Sequence, residues 1–266
     1  MKKNKTLPYI WLILVLLFMY LPILLLAVYS FTKSTQIGAI RGFSLQNYAT
    51  LIEMEELRNM ILGTFALAFI VAALSTVLGT IGAIGRFYSK RKLGKVIELS
   101  NQIPVVNADV VTGFSICILL IVFFHMDKDT YIPLLIGQMV LCTPFVYLSV
   151  LPRLTQMDPH HYEAAIDLGA TPFQAMYKVV LRELIPGIVA GFATAVTLSL
   201  DDYFIASYTK PAVFDTISTY VVNATKGSQT QVKTALWALS TVIFIVVVIA
   251  VALMNIGDAR KEAENE

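Results

Sequence analysis

Glu163-Ala164-Ala165-Ile166-Asp167-Leu168-Gly169-Ala170-Thr171-Pro172 is a polar interruption in an otherwise apolar chain, and it continues through Phe173, Met176, Lys178, Leu181 and Leu184 to Pro186-Gly187. Asp158 is suited to cap a helix and Pro159 to occupy its first position, while Gly169 can take the left-handed conformation that ends one. A first short helix is therefore expected over 159–168. Thr171, Pro172 and Gln174 repeat the start signal: a threonine cap, a proline just inside, and a glutamine where a capping box needs it. A second helix is expected from 172 to about 184. It places Phe173, Met176, Val180 and Leu184 on one side, with Lys178 and Arg182 four apart on another. Two short helices meet at a glycine elbow.

The rest of the chain sets the surroundings of that elbow. With 266 residues, 57% hydrophobic and 14% charged, and a mean hydropathy of +0.71, it is too apolar for a soluble domain of this size. Apolar windows long enough to cross a bilayer, which takes about 20 residues, fall at 9–31, 60–84, 103–124, 131–151, 186–208 and 235–256. The expected fold is all-α and integral to the membrane, with six transmembrane helices. The first window follows Lys2, Lys3 and Lys5, yet it is long, contains Pro22 and lacks a small-residue cleavage site, so it is expected to remain as an anchor.

With the N-terminus inside, thirteen Lys and Arg fall on the inner side and seven on the outer, the densest group being Arg86, Lys90, Arg91, Lys92 and Lys95. The positive-inside bias then places both termini and the Glu163 stretch in the cytoplasm. The net charge of +2 is small and spread among loops, which gives no nucleic-acid surface. Cys117 and Cys142 sit in apolar windows without metal-ligand spacing and read as packing residues.

Glu163-Ala164-Ala165, three residues, Gly169 and an apolar helix closing on Pro186-Gly187 resemble the cytoplasmic EAA loop of ABC importer permeases. The resemblance implies a type I ABC importer permease fold in which this loop is the coupling helix, docking into a groove on an ATPase subunit. The coupling residues it implies are Glu163, Ala164, Ala165, Asp167, Gly169, Ala170, Phe173 and Met176. Two positions depart from the pattern: Arg182 stands where proline is frequent, and Met176 where phenylalanine is common. An amphipathic hairpin lying on the membrane surface, with no partner, is the alternative reading of the same residues. Phe43-Ser44-Leu45-Gln46-Asn47-Tyr48 resembles the phrase that precedes the second helix in these permeases, whereas Gly63-Thr64 replaces the usual Asn-Thr. By itself that phrase reads as a turn capped by Ser44 and followed by a surface helix. The resulting division is an N-terminal helix and outer segment (1–59), a permease core (60–256, coupling loop 152–185) and a cytoplasmic tail (257–266).

Three acids lie at membrane depth, where a carboxylate usually faces a cavity or a partner. Asp201 and Asp202 follow Leu198-Ser199-Leu200 and precede Tyr203; Asp201 lies about 22 Å beyond Pro186 at about 1.5 Å per residue, in the outer half of the bilayer. Adjacent side chains on a helix diverge by about 100°, so the pair either faces one cavity obliquely or one member caps a helix break. Asp109, expected six residues into the third helix, either lines an inner cavity or bonds an irregular turn or a neighbouring helix. The Ser199-Leu200-Asp201-Asp202-aromatic phrase resembles the PotC-type permease of spermidine/putrescine importers, which usually has phenylalanine in place of Tyr203. That resemblance implies a polycationic cargo and a substrate path through Ser199, Asp201, Asp202 and Tyr203; Asp109 joins the candidate path by its position in the third helix.

No phosphate-binding loop, Gly-x-Ser-x-Gly elbow or His-Glu-x-x-His motif occurs, and His125, His160 and His161 lack metal-site spacing. The chain is therefore expected to have no catalytic or metal-binding residues. The resemblance implies a bacterial cytoplasmic-membrane subunit that binds no cofactor. It would pair with a related permease, two ATP-binding cassette subunits that use ATP and Mg, and an extracytoplasmic substrate-binding protein. A permease for iron, thiamine or sugar, and a stand-alone secondary transporter using its acids as an ion relay, remain as rivals.

Overall fold

The computed structural model describes residues 6–33, 42–158, 160–226, 235–245 and 248, and its secondary structure there is helical apart from one bridge between Thr32 and Phe43. Pro159, the N-terminal lysines, Arg41, Lys233 and the Arg260-Lys261 pair lie outside the described residues. The chain divides into two compact units, one made of 60–220 and the other of 1–59 with 221–266.

In the second of these, α1 (Thr6–Ser30) is exposed along its apolar length, as expected of a helix whose solvent is lipid. Its end is tied to the 43–48 phrase. The Phe31 and Phe43 rings stack at 5.8 Å, Ser44 Oγ accepts from the Gln46 N–H at 3.1 Å, and Asn47 Nδ2 donates to the Ser30 and Thr32 carbonyls at 2.9 and 3.2 Å. Ser30 and Tyr48 hydroxyls share a further bond of 2.8 Å. The short helix α2 (Gln46–Glu53) follows, as the capped turn predicts, and breaks at Met54 before α3 (Glu55–Tyr88).

The 60–220 unit departs from straight spans in two places. The third apolar window is not one helix: α4 (Arg91–Val106) stops at Asn107 and α5 (Asp109–Cys117), extended by a π-helical segment Ile118–Phe123, restarts at 109° to it. Pro104 near the end of α4 removes a backbone donor, and Asn107 Nδ2 turns back to Thr112 Oγ1 at 2.9 Å, which stabilises the new start. Next come α6 (Ile132–Gln156) and α7 (His160–Asp167).

The second departure follows the elbow. α8 (Pro172–Ala175), a π-helical turn (Met176–Val180) and α9 (Leu181–Asp201) form one uninterrupted helix of 30 residues through Pro186. The second elbow helix and the fifth span are thus a single rod, where separate helices over 172–184 and 186–208 were expected. Residues 202–203 break it before α10 (Phe204–Thr209), and α11 (Ile217–Lys226) lies beyond. Among the described residues four helices and one bent pair are long and apolar enough to cross a membrane, and the last of the six expected windows is described as a helix only over Ala235–Ile245.

The core of this unit is the crossing of α6 and α9. Gly187, Gly191 and Ala195, one turn apart on α9, form a strip along which backbones approach closely. A Cβ on Gly191 would lie 3.2 Å from Val146 Cα, and one on Gly187 3.1 Å from the Ser149 carbonyl. Gly79 of α3 closes on the same α6 segment, where a Cβ would sit 2.7 Å from Val146 Cβ and 2.9 Å from the Thr143 carbonyl. Gly79→Ala is therefore expected to destabilise by about 1–3 kcal/mol through overpacking, seen as earlier thermal unfolding of the detergent-purified protein. Unchanged unfolding would mean that α3 and α6 separate at little cost.

Candidate functional site

The cap, the glycine turn and the capping box of the elbow are each bonded. Asp158 Oδ1 accepts from the His160 N–H at 2.9 Å, so the expected cap on α7 is present. At the other end Gly169 adopts φ +87°. Its N–H donates to the Ile166 carbonyl at 2.9 Å and the Ala170 N–H to the Ala165 carbonyl at 3.0 Å, the paired bonds of a Schellman ending. Thr171 then starts α8 with a full capping box: the Gln174 N–H donates to Thr171 Oγ1 at 3.3 Å and the Thr171 N–H to Gln174 Oε1 at 3.1 Å. Thr171→Ala removes one arm, worth about 1 kcal/mol. Amide hydrogen exchange at Gln174 is expected to quicken roughly fivefold, while an unchanged rate would show that the box contributes nothing.

The elbow's surface is mixed. Glu163, Ala164, Asp167 and Gly169 are exposed and Ala165 and Ala170 half-buried. Leu168 and Phe173 project as apolar knobs, 89% and 79% exposed, joined by Tyr177 at 65%. Met176 instead packs half-buried against the core, as does Tyr162, whose ring lies 5.7 Å from that of Tyr88. The sequence pattern put Phe173, Met176, Val180 and Leu184 on one face, but only Val180 and Leu184 are fully buried. The π-helical turn at Met176–Val180 adds a residue to the helix and rotates Phe173 out of register with the buried pair. His161 Nδ1 lies 3.3 Å from Glu183 Oε2, tying α7 across the elbow to α9.

The other end of the 30-residue rod carries the acids. Asp201 is its last residue and is exposed, with no bonding partner among the described residues. Asp202, 7% exposed, is fully engaged: Oδ1 accepts from the Ile205 N–H at 3.0 Å, and Oδ2 from the Ala206 N–H at 2.9 Å and Gln138 Nε2 at 3.3 Å. It therefore caps α10, one of the two possibilities left open by the sequence. Ser199 is buried and donates to Gln138 Oε1 at 2.7 Å. Tyr203 is half-buried beside Phe204, ring centroids 5.3 Å apart.

Asp109 is exposed and is the first residue of α5, not the sixth of a straight span, because the helix breaks just before it. One turn later Gly113 meets α10, where a Cβ would lie 3.0 Å from Ile205 Cα, and Asp109 is within electrostatic reach of Asp202. Asp202 thus sits at the start of α10 with Ser199 linked to it through Gln138, and Asp109 bears on it electrostatically from α5. Gln138 escaped the sequence reading. The available signal was a lone amide beside Gly137 in an apolar window, since a polar group there must find a partner.

Residues 75–261 match the family described as binding-protein-dependent transport system inner membrane component. The chain belongs to this family of ABC transporter permeases. Over 212 residues, 74% of each chain, the permease is 32% identical to the putrescine transport system permease protein PotI of Escherichia coli K12. It is 28% identical over 253 residues to the spermidine/putrescine transport system permease protein PotC of the same strain, covering 91% of this chain and 94% of that one. In fold, the permease resembles a chain of a bacterial ABC transporter involved in import of the acidic polysaccharide alginate. That match has a TM-score of 0.67 and 16% identity over 94% of this chain and 95% of the other.

Proposed function

We propose that this permease moves polyamines, spermidine or putrescine, across the bacterial cytoplasmic membrane, driven by ATPase subunits that engage the 163–173 elbow. The observation that carries the reading is the continuous helix from Thr171's cap to Asp201, 30 residues and about 45 Å long, with the elbow at one end and the acidic break at the other. A rod transmits displacement where a jointed segment would absorb it. The polyamine cargo is supported by the names of the PotI and PotC relatives and by an exposed carboxylate, Asp201, two residues before Tyr203. Carboxylates bond ammonium groups, and ring faces add roughly 0.5–2 kcal/mol. Asp201, Asp109 and Tyr203 are the proposed cargo contacts, with Ser199 and Asp202 shaping the break.

In this reading the core takes in 60–256, six spans put both termini in the cytoplasm, and a related permease completes the pore. Two ATP-binding cassette subunits use ATP and Mg from below, a binding protein delivers cargo from above, and this chain binds neither nucleotide nor cofactor. The test is uptake of labelled spermidine and putrescine in cells lacking their own importer, with the chain co-expressed with its partners. Saturable uptake that disappears when the ATPase partner is inactivated is expected. ATP-driven uptake of iron, thiamine or sugar without polyamine would overturn the cargo, and uptake by the chain alone would overturn the coupling.

A further inference from the structure

Asp201 and Asp202 are neighbours of the same residue type, yet the fold treats them oppositely. What separates them is a cross-helix tie. Gln138, wholly buried on α6, reaches both sides of the break: its Oε1 accepts from Ser199 Oγ at 2.7 Å, and its Nε2 donates to Asp202 Oδ2 at 3.3 Å. The amide's orientation follows from its neighbours: Asp202 Oδ2 already accepts the Ala206 N–H, and a flipped amide would set oxygen against that acceptor. Gly137 beside it lets α10 come close, since a Cβ there would lie 2.7 Å from Ile205 Cγ2. Gly113 of α5 supports the same isoleucine from another helix, its Cβ position 3.0 Å from Ile205 Cα. The start of α10 is thus seated on two glycines and fastened by one amide.

We propose that Gln138 is a positioning residue for substrate. By holding Asp202 as the cap of α10 and Ser199 as the last anchor of α9, it fixes the break so that Asp201 alone of the pair is presented to the cargo. The cargo part rests on the polyamine reading; the positioning part does not. Without the amide, Asp202 loses a donor in a buried site and the break is free to turn, which redistributes the two carboxylates. The charged and titratable groups around Asp202 are Asp109 on α5 and Cys142 one turn from Gln138 on α6.

The test uses the assembled transporter in membranes, with the amount of this chain measured in each variant. Gln138→Leu keeps the bulk and removes both bonds; the KM for putrescine is expected to rise about tenfold or more, with maximal uptake within about twofold. Gln138→Glu supplies a carboxyl that donates to Asp202 only when protonated. Its KM is expected near wild type at pH 5.5 and raised at pH 8, against a wild-type KM that changes less over the same range. A Gln138→Leu KM equal to wild type, a loss confined to maximal uptake, or a Gln138→Glu KM that follows the wild-type pH profile would each overturn the proposal.

A second measurement is independent of cargo. In a chain whose two cysteines are replaced by alanine, the thiol introduced by Asp201→Cys is expected to react readily with a cationic methanethiosulfonate. Adding Gln138→Leu should change that rate about fivefold or more. An unchanged rate sinks the positioning role whatever the cargo is; a changed rate with no polyamine uptake in wild type sinks the cargo and leaves the positioning standing.

Discussion

Gly169→Pro is expected to reduce ATP-driven uptake about a hundredfold while the chain still reaches the membrane in near-normal amount. Proline holds φ near −65° and has no N–H. The elbow needs φ +87° at this position and a bond of 2.9 Å from the Gly169 N–H to the Ile166 carbonyl. Losing both costs roughly 3 kcal/mol, which at about 1.4 kcal/mol per factor of ten depopulates the elbow roughly a hundredfold. Crowding is not the cause, because a Cβ at Gly169 meets nothing within 4 Å. A graded series follows from conformation alone. Gly169→Asn, which tolerates the left-handed region, should stay close to wild type; Gly169→Ala should lose roughly five- to thirtyfold, from about 1–2 kcal/mol. Uptake by the proline variant at the wild-type rate would show that the elbow's shape does not carry coupling.

Asp201→Asn is expected to raise the KM for spermidine or putrescine about ten- to a hundredfold and to leave folding intact. Asparagine preserves shape and removes charge, and Asp201 makes no bond among the described residues that the change would break. A hydrogen bond to a charged group contributes about 1.5–3 kcal/mol, which sets that range. Asp202→Asn should behave differently. Its two oxygens accept from two backbone N–H groups and the Gln138 amide, and an amide nitrogen in place of either oxygen opposes donor to donor. Each buried group left unsatisfied costs about 1–3 kcal/mol, so the expected result is less protein in the membrane and a lower unfolding temperature. The separation is read by plotting uptake against chain abundance. If Asp201→Asn transports with the wild-type KM, the exposed acid is not a cargo contact.

The elbow was largely legible in the sequence because its signals are local. A cap, a glycine and a capping box act over three or four residues, and the bonds found at Asp158, Gly169, Thr171 and Gln174 are those the residue types favour. The exposed Leu168 and Phe173 were less so. Periodicity assumes one helical pitch, and the π-helical turn at Met176–Val180 changed it. The apolar windows likewise marked most of the spans, since hydropathy needs no knowledge of neighbours.

What the sequence by itself determined was therefore the membrane class and the elbow. Tertiary structure decided the rest. It bent the third window at Asn107, joined α8 to α9 through the π-helical turn Met176–Val180, and sent Asp202 into a cap while leaving Asp201 exposed. The physical reason is that a carboxylate's role depends on which donors surround it. The side-chain donor here comes from Gln138, more than sixty residues away on another helix. No spacing rule within one helix reaches that far; only the α6–α9 crossing, closed on Gly187 and Gly191, brings the amide to the acid.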